Sequence, residues 1–174
     1  MAKQYGFYVE ADKCGECHAC AVACKAVNNV ELGVHWRRVH TVWGGQFPKV
    51  TCDSISFSCM HCGSPACAAV CPTGAVKKRA EDGIVTVDQT KCIGCHACAI
   101  ACPFGVPQYG KNGAMQKCNL CLDRLTADQE PACAWTCPAG AIHAGTLEDL
   151  TKLAQQKTAK QLVGSTQPSV FISK

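Results

Sequence analysis

Seventeen of the 174 residues are cysteine, and sixteen of the seventeen fall into four groups of four. Group I is CGECHACAVAC, with Cys14, Cys17, Cys20 and Cys24; group II is CMHCGSPACAAVCP, with Cys59, Cys62, Cys67 and Cys71. Group III is CIGCHACAIACP, with Cys92, Cys95, Cys98 and Cys102; group IV is CNLCLDRLTADQEPACAWTCP, with Cys118, Cys121, Cys133 and Cys137. Cys52 alone is left over. Hydrophobic residues make up 48% of the chain, but that figure includes the cysteines, and aromatic residues reach only 6%. Burial of ordinary side chains is thin for this length, so the sulfurs must carry part of the fold.

Three uses of so many cysteines compete. Disulfides need an oxidising compartment and suit small secreted chains. Here the cysteine count is odd and cysteines two residues apart are poorly placed to bridge each other. The opening MAKQYGFYVEADKC also lacks the basic-then-apolar pattern of a secretory signal and has no twin-arginine pair. Structural zinc takes four ligands, typically as two CxxC knuckles. Group IV fits that pattern, whereas groups I and III carry a third cysteine at the same interval and a fourth soon after. The third use is iron–sulfur. C-x2-C-x2-C-x3-C-P is the bacterial ferredoxin spacing, in which the fourth cysteine binds the other cluster of a pair. Group III matches in full and group I has Lys25 in place of the proline. Group II stretches one spacer to four residues and group IV stretches one to eleven. A short looping segment can wrap a cubane corner by corner, holding thiolates that the iron keeps deprotonated. Two stretches, Cys14 to His18 and Cys92 to His96, also match the c-type haem attachment pattern, but haem would leave the remaining cysteines idle. His18 and His96 are therefore expected at the surface or beside the ligands, and His61 is not expected to be a ligand. A protonated histidine beside a cubane would raise its potential.

Each group ends in Cys-x3-Cys, and on a helix such residues share one face about 6 Å apart along the axis. One turn can then give its first cysteine to one cubane and its last to the neighbour. The chain also repeats itself: CGECHAC and CIGCHAC are near copies, as are CPTGAV, CPFGVP and CPAGAI, where proline stops a turn and a small apolar pair enters a strand. Groups II and III are joined by a short link, with a turn at Glu81-Asp82-Gly83 and an alternating strand over Ile84–Asp88. The expected fold is α+β, with few short strands and helices around the clusters. Residues 53–110 form one ferredoxin-like unit, inserted in a second built from 1–52 and 111–150. Residues 151–174 follow as a helix and an extended tail. If the fourth cysteines are exchanged, the ligand sets are Cys14, Cys17, Cys20 with Cys137; Cys118, Cys121, Cys133 with Cys24; Cys59, Cys62, Cys67 with Cys102; and Cys92, Cys95, Cys98 with Cys71. Spacing alone leaves open the pairing of group I with II and of III with IV.

Elsewhere the pattern is plainer. Val34–Thr51 is expected to be extended with a turn at Gly44-Gly45, with Trp36 and Trp43 as packing groups and Cys52 as a buried thiol. Thr146 to Asp149 resembles a capping box opening a helix to about residue 162, with Leu147, Leu150 and Ala154 facing inward. The net charge is +4, but the basic residues are scattered and the densest run is Lys77-Lys78-Arg79, so no nucleic acid partner is expected. No apolar stretch is long enough for a direct membrane span.

Four cysteine groups in this order resemble the iron–sulfur subunit of the DMSO reductase family of molybdopterin oxidoreductases. The CxxCxxxxCxxxCP form of group II, the wide spacing in group IV and CPFGVPQY after group III carry the likeness, which runs from Gln4 to about Leu150. The resemblance implies four [4Fe–4S] clusters, with groups I and IV paired and II and III paired. Cys95, Cys98 and Cys102 are all present, so four cubanes are expected rather than a three-iron variant. It implies a large molybdopterin (Mo or W) catalytic subunit on one side and a quinol-binding membrane anchor on the other. The chain itself would be a non-catalytic relay of single electrons. It would lie peripheral to the membrane within a complex or in the cytoplasm, and in the periplasm only if a partner's signal exports it. A free-standing polyferredoxin serving a soluble oxidoreductase such as a hydrogenase is the competing reading. Each oxidised cubane with four thiolates carries about −2, so four would bring the holoprotein near −4.

Overall fold

The computed structural model describes residues 3–157 and 159–173. Met1, Ala2, Thr158 and Lys174, which fall within the units expected at 1–52 and 151–174, lie outside the described residues. In chain order the elements are β1 (Tyr5–Glu10), α1 (Ala19–Val27), β2 (Arg38–Gln46), β3 (Lys49–Phe57), α2 (Ala66–Ala69), β4 (Val76–Lys78), β5 (Val85–Val87) and α3 (Ala97–Ala101). There follow β6 (Gln108–Tyr109), β7 (Met115–Gln116), α4 (Leu122–Thr126), α5 (Ala132–Trp135), β8 (Ile142–Thr146), α6 (Leu147–Gln156), β9 (Lys160–Gln161) and β10 (Val170–Ser173). This is a small α+β fold of short elements.

The one larger sheet runs β8-β1-β10-β9 and is built around β1. Phe7, Tyr8 and Val9 are aromatic or β-branched and buried, as a central strand covered on both faces requires. β1 pairs antiparallel with β8 and parallel with β10. Gly6 permits the close approach of the C-terminal segment, because a Cβ there would stand 2.0 Å from the Ser169 carbonyl oxygen. Glu10 ties this sheet to its surroundings: His143 lies 2.8 Å from one carboxylate oxygen, and Lys157 donates to the other at 2.7 Å. Burial works against its charge, but the bonds from Lys157, His143 and Lys13 outweigh it and hold the carboxyl at about 2.

α6 opens as expected. The Thr146 hydroxyl accepts from the Asp149 amide at 3.3 Å, and Leu150 and Ala154 are buried against Tyr8 and Phe171. It ends at Gln156 rather than near 162, because the chain turns back to pair β9 with β10. The β2–β3 hairpin corrects three further expectations. Its glycines lie inside the ladder, Gly44 opposite Thr51 and Gly45 opposite Val50, and the turn falls at Phe47-Pro48. The end of this hairpin projects from the body. Trp43 is 70% exposed and Cys52, directly opposite it, is exposed too, so neither is a core group. Trp36, nearer the body, does pack against the main core.

The four Cys-x3-Cys segments fold less uniformly than their spacing suggests. Only α1 carries both of its cysteines, Cys20 and Cys24, within the helix. α2, α3 and α5 stop before Cys71, Cys102 and Cys137. In each of these the cysteine precedes a proline, whose ring disfavours the helical conformation of the residue before it, and Cys102 is accordingly extended. Lys25 stands where the proline would be in group I, so α1 runs on to Val27. α1 packs against α5, and α2 against α3.

Candidate metal centres

The helix pairs and the loops before them gather the cysteines into sets. Cys14, Cys17 and Cys20 line one hollow together with Cys137, over a hundred residues away in sequence. Cys59, Cys62 and Cys67 line a second with Cys102. Cys92, Cys95 and Cys98 line a third with Cys71. The remaining four, Cys24, Cys118, Cys121 and Cys133, are all buried. The Asn28 side-chain amide lies 3.5 Å from the Cys121 sulfur and 3.9 Å from that of Cys24. The chief charges opposing ionisation of Cys24, after burial itself, are Cys118 and Cys133.

The loops follow a common path. In group I Glu16 and His18 have positive φ, and in group III Gly94 and His96 do, so the cysteine between each pair is swung toward its hollow. Gly94 is required there, since a Cβ would meet the Gly113 carbonyl oxygen at 2.8 Å. Amide groups aim at the sulfurs. Met115 donates to Cys92, Leu120 to Cys118 and Ala141 to Cys137, each at 3.3 Å.

These sites fit a cluster better than a single ion. Among the described residues no three His, Cys, Asp or Glu side chains converge as they would around one metal ion. The thiols instead stand around apolar hollows, with amide donors placed to stabilise sulfur-borne negative charge. Burial, then repulsion from Cys59, pushes the Cys67 thiol up to about 12. Burial likewise pushes Cys118 up to about 12, against the pull of Arg37. Such burial favours the neutral thiol, and a bound metal would be needed to hold thiolates there.

His18 lines the hollow of Cys14 and His96 that of Cys92, each beside the cysteines, while His61 lines none of the three hollows. His18 and His96 are exposed, and His96 stacks on Tyr109 with ring centroids 3.8 Å apart. His61 is fully buried, and its Nδ1 accepts from the Val85 amide at 3.1 Å. Burial, then Lys117 and Arg37, holds it well below its ordinary value. Several contacts to the sulfurs had no sequence signal. The Ser56 hydroxyl lies 3.2 Å from the Cys20 sulfur, and the Tyr109 hydroxyl lies 3.2 Å from that of Cys98. Lys117 is buried beside the group II hollow, with its ammonium on the carbonyls of Val85 and Cys118.

Residues 50–147 match the 4Fe-4S dicluster domain family, which defines the chain as an iron–sulfur protein of the clustered-ferredoxin class. It is 40% identical over 161 residues to an anaerobic dimethyl sulfoxide reductase chain of Escherichia coli (strain K12), covering 87% of this protein and 78% of the relative. It is 36% identical over 182 residues to the formate dehydrogenase iron-sulfur subunit of Wolinella succinogenes, covering 91% and 90%. It is 36% identical over 168 residues to a sulfite dehydrogenase subunit of Allochromatium vinosum, covering 84% and 70%. The chain belongs to the family of iron–sulfur subunits that serve dimethyl sulfoxide reductase and its relatives. It is an electron-transfer subunit of an oxidoreductase complex rather than the catalytic one, and its cofactors are four [4Fe–4S] clusters.

Proposed function

We propose that the sixteen grouped cysteines hold the four clusters in the sets Cys14, Cys17, Cys20, Cys137; Cys24, Cys118, Cys121, Cys133; Cys59, Cys62, Cys67, Cys102; and Cys71, Cys92, Cys95, Cys98. The observation that carries this is the make-up of three hollows: each is lined by a local run of three cysteines and one remote cysteine from a different group. The same pairing supports the architecture of one ferredoxin-like unit, 53–110, inserted in another made of 1–52 and 111–150, with 151–174 as an appended helix and strand.

When bound, a [4Fe–4S] group takes up or returns a single electron. The protein's part is to hold the four sites in sequence and keep them dry. Cys20 and Cys24 on α1 join the first two sets, and Cys67 and Cys71 join the last two. Cys118 and Cys59, both buried and close enough for their charges to oppose each other, join the middle pair. The order is therefore the Cys14 set, the Cys118 set, the Cys59 set and the Cys92 set. Cys17 and Cys95 are exposed and lie in the two outer sets, so redox partners meet the chain at its two ends. One partner is a large molybdopterin catalytic subunit bearing Mo or W, a reading supported by relatives that serve dimethyl sulfoxide reductase and formate dehydrogenase. The other is a quinol-binding membrane anchor, against which this chain lies at the membrane surface. Among the described residues no helix is long and apolar enough to cross a membrane.

The ligand sets are tested by serine substitution in anaerobically prepared holoprotein. Cys14→Ser and Cys137→Ser are expected to perturb the same electron paramagnetic resonance signal, and Cys133→Ser and Cys24→Ser a second one. If Cys14→Ser and Cys71→Ser shared a signal instead, groups I and II would be the true pair. Co-purification of the assembled complex, with metal analysis of its large subunit, tests the partner.

A further inference from the structure

Arg37 is 2% exposed, and none of the ion pairs among the described residues includes it. Its guanidinium lies over the Phe7 ring, 4.4 Å from the centroid. One terminal nitrogen donates to the Ser56 hydroxyl and the other to the Ser58 hydroxyl, each at 2.9 Å. Nε finds no protein acceptor. Two serines and a phenyl face are weak compensation for a buried cation. A charge in such a place is costly unless an anion faces it.

The groups around it supply that anion's address. Phe7, on whose ring the guanidinium lies, packs in one buried cluster with Cys118 and Cys133 as well as Cys20 and Cys59. Burial opposes the charge of Arg37, and the groups that favour it are Cys133, Cys118, Cys20 and Cys24, in that order. Three of these four belong to the set completed by Cys121. The fourth, Cys20, is reached through Ser56. Because the Ser56 oxygen accepts from Arg37, its own hydrogen is free to point at the Cys20 sulfur 3.2 Å away. The polarity of β3 matches this arrangement. Its buried positions are Ser54 and Ser56, followed by Ser58 just beyond the strand, while Ile55 and Phe57 are only half-buried.

We propose that Arg37 is the internal counter-ion of the cluster held by Cys24, Cys118, Cys121 and Cys133, a fixed positive charge that raises that cluster's reduction potential, with Ser56 passing a smaller share of the effect to the cluster of Cys20. This rests on the ligand sets proposed above. Net charge and hydrogen bonds to sulfur are the levers by which a protein sets such potentials. Arginine stays protonated throughout the working pH range, so the effect is built in and does not titrate. It makes the second site of the wire a better electron acceptor than its thiolates alone would.

The test is a potentiometric titration, followed by electron paramagnetic resonance, of the full chain loaded with iron and sulfide. Iron near sixteen per chain in the parent protein is a separate check on the four-cluster reading; a value far below that would defeat the reading itself. With that met, Arg37→Gln is expected to shift one midpoint to lower potential, that of the signal perturbed by Cys121→Ser, and to leave the Cys59 and Cys92 sets in place. Arg37→Lys is expected to keep most of the parent potential. Ser56→Ala is expected to give a smaller downward shift confined to the Cys20 cluster, and it remains informative if Arg37→Gln fails to accumulate. Unchanged midpoints in Arg37→Gln at full iron content would overturn the proposal. So would Arg37→Lys behaving as Arg37→Gln does, or Ser56→Ala leaving the Cys20 cluster untouched.

Discussion

Groups I and IV and groups II and III each pair a compact cysteine run with a stretched one, yet their surroundings differ. The first pair is built from segments about a hundred residues apart, on a nine-residue helix and a four-residue one, and encloses a set of four buried cysteines. The second is built from neighbouring segments on two short helices linked through the β4–β5 hairpin, and neither of its sets is wholly buried. One residue accounts for part of the contrast: with Lys25 in place of proline, α1 continues past its last cysteine, and the Lys25 ammonium caps the carbonyls of Glu31 at 3.0 Å and Val34 at 2.6 Å. A shared cysteine pattern thus sets which sulfurs gather locally, while non-local packing determines how buried and how charged their surroundings are.

The comparison can be broken most severely at the buried set. Cys133→Ser is expected to lose about four irons and to loosen the packing of α1 on α5, whereas Cys95→Ser leaves the fold intact with at most a similar iron loss. Iron analysis with thermal melting by circular dichroism distinguishes them, and equal melting temperatures would remove the contrast. Lys25→Pro would make group I resemble the other three. It ends α1 early and strips the caps from Glu31 and Val34, at a cost of about 3 kcal/mol, read from denaturant unfolding of the holoprotein.

Glu10 probes what holds the larger sheet to α6. Glu10→Gln is expected to cost about 2 kcal/mol, because Lys157 and His143 lose a charged acceptor. The carboxyl lies at about 2 in the fold against an ordinary value of 4.5. Its contribution is therefore fully present above pH 4.5 and is lost as pH falls from there through about 2. Melting temperatures measured across that window should fall more steeply in the parent than in the variant. Tyr109→Phe tests the second pair more gently. Removing the hydroxyl beside the Cys98 sulfur should lower the potential of that cluster slightly and leave the other three unmoved in a redox titration. Cys52→Ser is expected to change neither iron content nor melting temperature, and to abolish the one fast-reacting thiol of the holoprotein in a thiol-modification assay.

How the cysteines gather locally was legible in the sequence, because spacing is a local property. Three cysteines of one short run line a common hollow, and the i, i+4 cysteine follows on the next turn. The strands after each Cys-Pro were legible for the same reason, since proline stops the turn and Val76, Gln108 and Ile142 then lie at or near strand starts. The exposure of Cys52 and Trp43 was not legible, because burial depends on what else packs nearby, and at the end of the β2–β3 hairpin nothing does. Arg37, Ser56, Lys117 and Tyr109 carried no signal because each acts across the fold on a sulfur or carbonyl far from it in sequence or brought close by a turn.

The amino-acid order alone determined the chemistry: sixteen thiols at ferredoxin spacing, too few aromatic residues for an ordinary core, and a family resemblance strong enough to name the kind of subunit. Only the tertiary structure decided which remote cysteine lines each hollow, which four cysteines are buried together, and which cation is buried near them. Spacing constrains a chain over a few residues, but dielectric and field at a buried site are sums over every segment that folds around it.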